Sequence, residues 1–228
     1  MSKLTIYHGS PEIIEKPQFG KGKTYNDYGR GFYCTEVMEL AKEWACPTVR
    51  DGFANKYEFD LEGLNVLYLN KDGYHILNWI AILLDNRTFP KRSPISRQAS
   101  KYILEEFLTD ISDYDVIQGY RADNSYFTYA KDFLNNTISV GQLSQAMKLG
   151  ELGEQIVLMT PKAFEHIRFI EYEIADGSIY NPRRMAREDR ARKAYLTNHG
   201  ADFSVVKNEI YVLDIIREGM KNDDLRLR

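Results

Sequence analysis

Three short stretches of the chain carry side chains that could meet a ligand: "YHGS" at 7–10, "GRGFYCT" at 29–35 and "GEQIVLMT" at 153–160. In the first, His8 brings a two-nitrogen ring that can donate and accept hydrogen bonds. Its neighbour Gly9 brings a bare backbone that a ligand can approach closely. The plain alternative is a histidine satisfied at a strand end. In the second stretch, Gly29 and Gly31 free the backbone ahead of an alternating strand, and Tyr33 offers an electron-rich face to a planar, cationic ring. The same residues equally suit an aromatic core pair after a turn. In the third, Glu154 and Gln155 open an apolar strand, where a polar side chain must find a partner or face a cavity. Consecutive strand residues point to opposite faces, so only one of the two can face a given cleft.

The elements that must position these residues are legible from periodicity. Short alternating strands are predicted at 3–8, 31–35, 55–61 and 65–69, each bounded by Gly, Pro, Asn or Asp. Between the first two lies a long stretch with prolines, glycines and no period, a loop of the kind that compact domains keep for function or motion. Apolar residues at Val37, Leu40, Ala41 and Trp44 predict a helix over 36–45, stopped by Pro47. Further helices are predicted at 73–87, 97–111, 125–136 and 138–150, the last opened by Ser139 as a cap. Strands are predicted at 114–120, 154–160 and 167–174, with a short helical turn started by Thr160 and Pro161. From residue 178 on, helical patterns without strand signals predict a C-terminal extension, so that 1–177 form one domain and 178–228 pack on it as helices.

Composition narrows the class. The chain has 228 residues, of which 43% are hydrophobic and 28% charged, as in an ordinary globular protein. A formal charge of -3 gives no overall field for nucleic acid or an anionic membrane, so such a partner must be met by a local patch. The start lacks the features of a secretory signal, and no run approaches the roughly 20 apolar residues that span a bilayer, so a cytoplasmic protein without a membrane partner is expected. Cys34 and Cys46 are too few for a disulfide framework and are expected as free thiols. Four scattered histidines give no expectation of a metal site. Motifs for phosphoryl transfer, for a serine nucleophile elbow and for zinc proteases are missing.

Taken in order, "YHGS", "GRGFYCT" with the helix "EVMELAKEWA", and "GEQIVLMT" resemble the signature strands of NAD-dependent ADP-ribosyltransferases of the diphtheria-toxin and poly-ADP-ribose polymerase type. With "AKEWA" and "GYRADNSYF" added, nearly the whole chain resembles a bacterial family of ADP-ribosyltransferase-like domains. The resemblance implies an α+β fold of split β-sheets around an NAD cleft, with inserted helices and a helical C-terminal extension. It implies transfer of a single ADP-ribose from NAD to a macromolecular acceptor, protein or nucleic acid, with release of nicotinamide. His8 would bond the adenosine ribose and Gly9 the carboxamide, with Ser10 and Gly31 beside them. Tyr33 would stack on the nicotinamide, and Trp44, eleven residues on, would close a sandwich. The polymerase pattern puts the last triad residue at Glu154, whereas the arginine-modifying toxins and the closer bacterial family put it at Gln155. A carboxylate there could stabilise developing positive charge, whereas an amide keeps only the hydrogen bond.

Two departures follow. The serine that holds the carboxamide in polymerases falls on Ala41, and with Gln155 in the cleft another carboxylate is needed as a base, for which Asp123 is the candidate. Asp123 and Asn124 equally suit a turn before a helix. Arg121 and Arg30 are candidate contacts for phosphate or substrate, with a solvated arginine the alternative for Arg30. Arg183, Arg187 and Arg190 recur at helical spacing, either as a salt-bridged solvated face or as a stripe for a nucleic-acid backbone or an inhibitory partner protein. By analogy, such a chain would be a bacterial cytoplasmic toxin restrained by an antitoxin protein, in a toxin–antitoxin or defence locus. A degenerate fold that binds NAD or ADP-ribose without turnover is the other reading, and Gln155 and Ala41 favour it.

Overall fold

In a computed structural model, which describes residues 3–71, 73–90, 93–121, 124–149, 153–199 and 209–227, the chain is a mixed α+β fold with two sheets. In chain order the elements that matter are β1 (Lys3–Ser10), β2 (Phe32–Cys34), α1 (Met38–Ala45), β3 (Gly52–Asp60), β4 (Val66–Tyr68), α2 (Ile76–Asn86), α3 (Pro94–Phe107) and β5 (Val116–Tyr120). They continue with α4 (Asn124–Leu134), α5 (Val140–Ala146), β6 (Glu154–Leu158), α6 (Pro161–Glu165), β7 (Ile167–Ala175), α7 (Gly177–His199) and α8 (Val212–Glu218). One sheet has the order β1-β3-β7 and is antiparallel throughout. The other has the order β2-β6-β5-β4, in which only β4 and β5 are parallel. A parallel pair needs a crossover, and α2 and α3 supply it.

Two cores result. Ile6, Tyr57 and Phe59 of the first sheet pack with Phe32, Cys34, Val116, Ile156 and Leu158 of the second, which joins the sheets. The opposite face of the second sheet, with Leu67, Ile117 and Val157, is covered by Leu77, Ile80, Ile103, Phe133 and Leu143 of the helices. The strand β6 is apolar on both faces because it feeds both cores. Ser93 and Ser139 cap α3 and α5 by accepting hydrogen bonds from the backbone N–H groups of Ser96 and Gln142. Of the helical patterns expected beyond residue 178, α7 and α8 are described, and residues 201–208 lie outside the described residues.

The helix α7 is mostly polar and docks on α1 largely through ions, with Tyr180 packed against the small cluster of Ala45, Cys46 and Ala175. Arg187 makes a two-pronged pair with Glu43, at 2.6 Å and 2.9 Å, and Arg183 reaches Glu39 at 2.9 Å. Arg184 pairs with Glu188 one turn along. Of the three arginines singled out from spacing, two are therefore engaged within the fold, and Arg190 is exposed. The side chains of Arg187 and Glu43 are 17% and 6% exposed, against about half for Arg183 and Glu39. Glu43→Ala should accordingly lower stability in urea titration by roughly 2–3 kcal/mol, below the cost of stripping a fully buried pair. Arg183→Ala should cost no more than about 0.5–1 kcal/mol. Equal effects would show that the docking does not depend on the buried pair.

Candidate active site

The site begins where the two sheets part. Tyr7 and Thr35 exchange both backbone hydrogen bonds, at 2.7 Å and 2.9 Å, and tie β1 to the residue after β2. In an antiparallel ladder alternate residues aim N–H and C=O at the same edge, so Gly9 aims its pair where Tyr7 does, away from β3. The residue that would answer Gly9 across the gap is Tyr33, two before Thr35. The carbonyl of Tyr33 is taken instead by His8, whose Nδ1 lies 2.7 Å from it. A carbonyl only accepts, so Nδ1 carries the proton and Nε2 is an acceptor. The imidazole thus wedges the strands apart, stacks on Phe32 at 4.2 Å, and leaves the N–H and C=O of Gly9 on an open edge. Helix α1 covers Gly9 from above. A Cβ there would sit 2.0 Å from the carbonyl oxygen of Ala41, so the glycine is needed for helix packing as well as for an approach by ligand.

The floor of the cleft comes from β2 and β6. Tyr33 pairs with Val157, and Gln155 lies two residues along the same strand, so Tyr33 and Gln155 share a face. The choice between the two polar residues is thereby made: Gln155 lines the cleft, while Glu154 points to the other face and accepts from Asn70 at 2.7 Å and from Gln118. The ring of Tyr33 is half-buried, and its hydroxyl donates to the Gly29 carbonyl at 2.7 Å while accepting from the Tyr28 N–H at 3.1 Å. Burial pushes its phenol well above the ordinary tyrosine range. It is therefore a neutral ring held in place.

Beneath Gln155 lies a residue that sequence reading missed. Asp27 is buried, accepts from Gln155 Nε2 at 3.1 Å and pairs with Arg87 at 3.3 Å. The second hydrogen of the Gln155 amide goes to the Tyr120 carbonyl, 3.0 Å away. That carbonyl also accepts from the hydroxyl of Tyr28 at 2.7 Å and from Trp79 Nε1 at 3.1 Å, so β5, β6, α2 and the loop meet on one oxygen. Tyr28 reaches it by crossing over Gly119, where a Cβ would stand 2.4 Å from the phenol oxygen. Asp27 and Tyr28 sit in an aperiodic loop, and nothing local marks them as buried.

The walls are the long loop and α1. The loop over 11–31 is rooted by Asn55, which is fully buried, accepts from the Ile14 N–H at 2.9 Å and donates to the Glu12 carbonyl at 3.2 Å. Ser10 turns its hydroxyl to the Glu12 N–H at 3.1 Å, so it shapes the loop start while lining the cleft. Gly31 also lines it; a Cβ there would meet Val157 at 2.5 Å. Trp44 is in the wall, and the Arg121 guanidinium covers its ring at 3.9 Å, so one face of the ring is taken by an arginine. Among the described residues the buried Trp44 Nε1 has no hydrogen-bond partner, a donor that a ligand acceptor could satisfy. Arg30 is exposed and outside the lining; Arg87, Arg121 and Arg184 enter in its place. Asp123 lies outside the described residues.

The cleft has a volume of about 830 Å³, in the range of sites for a drug-sized or larger ligand. Lys16, Lys21, Lys23, Arg87, Arg121 and Arg184 border it, against the acids Glu12 and Asp27, so the cleft suits an anion although the whole chain does not. Cys34 and Cys46 are buried free thiols whose burial pushes them up, which leaves neither as a nucleophile. Among the described residues no cluster of three His, Cys, Asp or Glu could hold a metal ion, and no helix is long and apolar enough to cross a membrane.

Fold and site together define an α+β protein with a polar, cation-rimmed cleft between two small sheets. The chain belongs to the family described as a protein of unknown function, DUF3990, whose model matches residues 4–169. The match runs from β1 into β7 and so contains every strand that builds the cleft. Neither a curated protein nor a solved structure matches the chain.

Burial lowers the affinity of His8 for a proton, opposed only in part by the bond to the Tyr33 carbonyl. Its folded pKa is depressed, so the folded protein binds fewer protons than the unfolded chain and loses stability as pH falls below about 6.5 toward the folded value. NMR titration should give His8 a midpoint below 6.5 with the proton on Nδ1. A midpoint at or above 6.5 would remove the neutral wedge.

Proposed function

We propose that the cleft binds NAD and transfers its ADP-ribose to a macromolecular acceptor. The observation that carries this reading is the open edge of Gly9 beside the Tyr33 ring. One N–H and one C=O, side by side, complement a primary carboxamide, and a neutral phenol ring next to them suits a planar cation. Nicotinamide in NAD is both. The cationic rim supports a pyrophosphate, and the neutral His8 Nε2 supports a ribose hydroxyl as an acceptor.

The reaction breaks the bond between ribose C1 and the nicotinamide nitrogen. Its electron pair returns to the ring, which leaves neutral, while a lone pair of the acceptor forms the new bond at C1 and the acceptor's proton passes to water. Positive charge develops on the ribose as the bond breaks, and oxygens fixed near it lower the barrier. In this chain the Gln155 amide oxygen is the fixed acceptor for a ribose hydroxyl, and the Asp27 carboxylate beneath it supplies negative potential.

A second reading, a site that binds NAD or ADP-ribose without turnover, is favoured by two observations. The polar residue in the cleft is an amide and not a carboxylate, and Arg121 already covers Trp44. Incubation of the purified protein with NAD separates the readings. Nicotinamide should accumulate with time, and Tyr33→Leu should weaken NAD binding by about tenfold or more, the worth of a ring over a cation at a desolvated site. Tyr33→Phe keeps the ring and should retain most of the affinity. Binding without release would select the second reading, and a melting temperature unmoved by millimolar NAD would dismiss both.

A further inference from the structure

The Gln155 amide has only one orientation open to it. Its two N–H groups meet the Asp27 carboxylate at 3.1 Å and the Tyr120 carbonyl at 3.0 Å, and both partners can only accept. Turning the amide over would set its oxygen against two other oxygens, within a buried site where such a mismatch is costly. The oxygen of Gln155 is therefore left for the cleft that the residue lines. Asp27 is itself held by Arg87, which balances its buried charge.

We infer that Asp27 is a positioning residue: it locks the Gln155 amide with its oxygen toward the cleft as a fixed acceptor for a hydroxyl, and it carries at position 27 the negative charge that a glutamate at 155 would bring. That the hydroxyl belongs to a ribose rests on the NAD reading above; the locked amide does not. A consequence runs against the simple expectation that a carboxylate at 155 would improve the site. Gln155→Glu would bring two carboxylates to hydrogen-bond distance of each other, so that one must move or take up a proton, and it would take a donor away from the Tyr120 carbonyl. Exchanging the two groups, Asp27→Asn with Gln155→Glu, restores a donor between the positions, leaves an oxygen for Arg87 and keeps the charge count. The repair is partial because the Tyr120 carbonyl still lacks the Gln155 N–H.

The test uses the full chain. In ¹⁵N spectra the Gln155 side-chain amide, identified by through-bond assignment, should exchange with solvent at least tenfold more slowly than exposed glutamines, without NAD, and faster in Asp27→Asn. In nicotinamide release, Gln155→Glu should lose about tenfold or more in kcat with a smaller change in KM, and the exchanged pair should regain at least threefold. Melting curves are recorded for each. Fast exchange of the amide in the folded wild type would overturn the inference. So would Gln155→Glu at wild-type rate or above, or no recovery in an exchanged pair that melts like the wild type. If Gln155→Glu does not fold, the amide exchange in wild type and Asp27→Asn decides. A protected amide in a protein that neither binds nor turns over NAD would leave the lock standing and fell the NAD reading; normal turnover with an unprotected amide would do the reverse.

Discussion

Everything in the cleft depends on one hydrogen bond, from His8 to the carbonyl of Tyr33. Without it β1 and β2 would continue the ladder begun at Tyr7 and Thr35, the two sheets would merge, and the edge of Gly9 would be consumed by Tyr33. The imidazole replaces one backbone donor with a side-chain donor of greater length, which satisfies the carbonyl and still holds the strands apart. An open strand edge is normally a liability, and here α1 and the long loop shield it from other chains while the cleft keeps it accessible. The same wedge explains why the ring must stay neutral. A protonated His8 would keep its bond but would turn an acceptor toward the cleft into a second donor.

Much of this was legible from residues, because strands and their ends have local signatures. The alternation around "KLTIYH" and "GFYCT", the doubly apolar "IVL" and the amphipathic "EVMELAKEWA" placed His8, Tyr33 and α1 within a few residues of where they lie. The strand period also showed that Glu154 and Gln155 cannot share a face. It could not show which one meets the cleft, because that follows from pairing between strands about 120 positions apart in the chain, Tyr33 with Val157, and no local period encodes such a register.

Two residues of the floor escaped. Asp27 and Tyr28 sit in a stretch without period, and their burial is imposed by partners far along the chain, Tyr120, Gln155 and Arg87. The arginines divide between the readings open to them: Arg183 and Arg187 form the salt-bridged face, and Arg121 lines the cleft. Their types announced anion contacts, but a guanidinium on a long stem finds whichever carboxylate or ring the fold offers. Arg187 found Glu43 and Arg121 found the Trp44 ring, while Arg30 was left to solvent. Spacing placed Arg183 and Arg187 near each other along α7 correctly and could say nothing of α1 as their counterpart.

The position of the negative charge follows from these constraints. Residue 155 lies in β6, an inner strand of its sheet, beside the Tyr120 carbonyl and the Asp27 carboxylate, and an amide can give to both and still accept from a third group. A carboxylate at that position would stand against the Asp27 carboxylate and the Tyr120 carbonyl, both of which can only accept. Residue 27 lies on the loop, where Arg87 can reach it, so a carboxylate there is balanced at once. Separating the acceptor from the charge lets each be satisfied by its own partners. The result is a polar floor that is already ordered before any ligand arrives, which is the condition under which buried dipoles act on developing charge without first having to reorient.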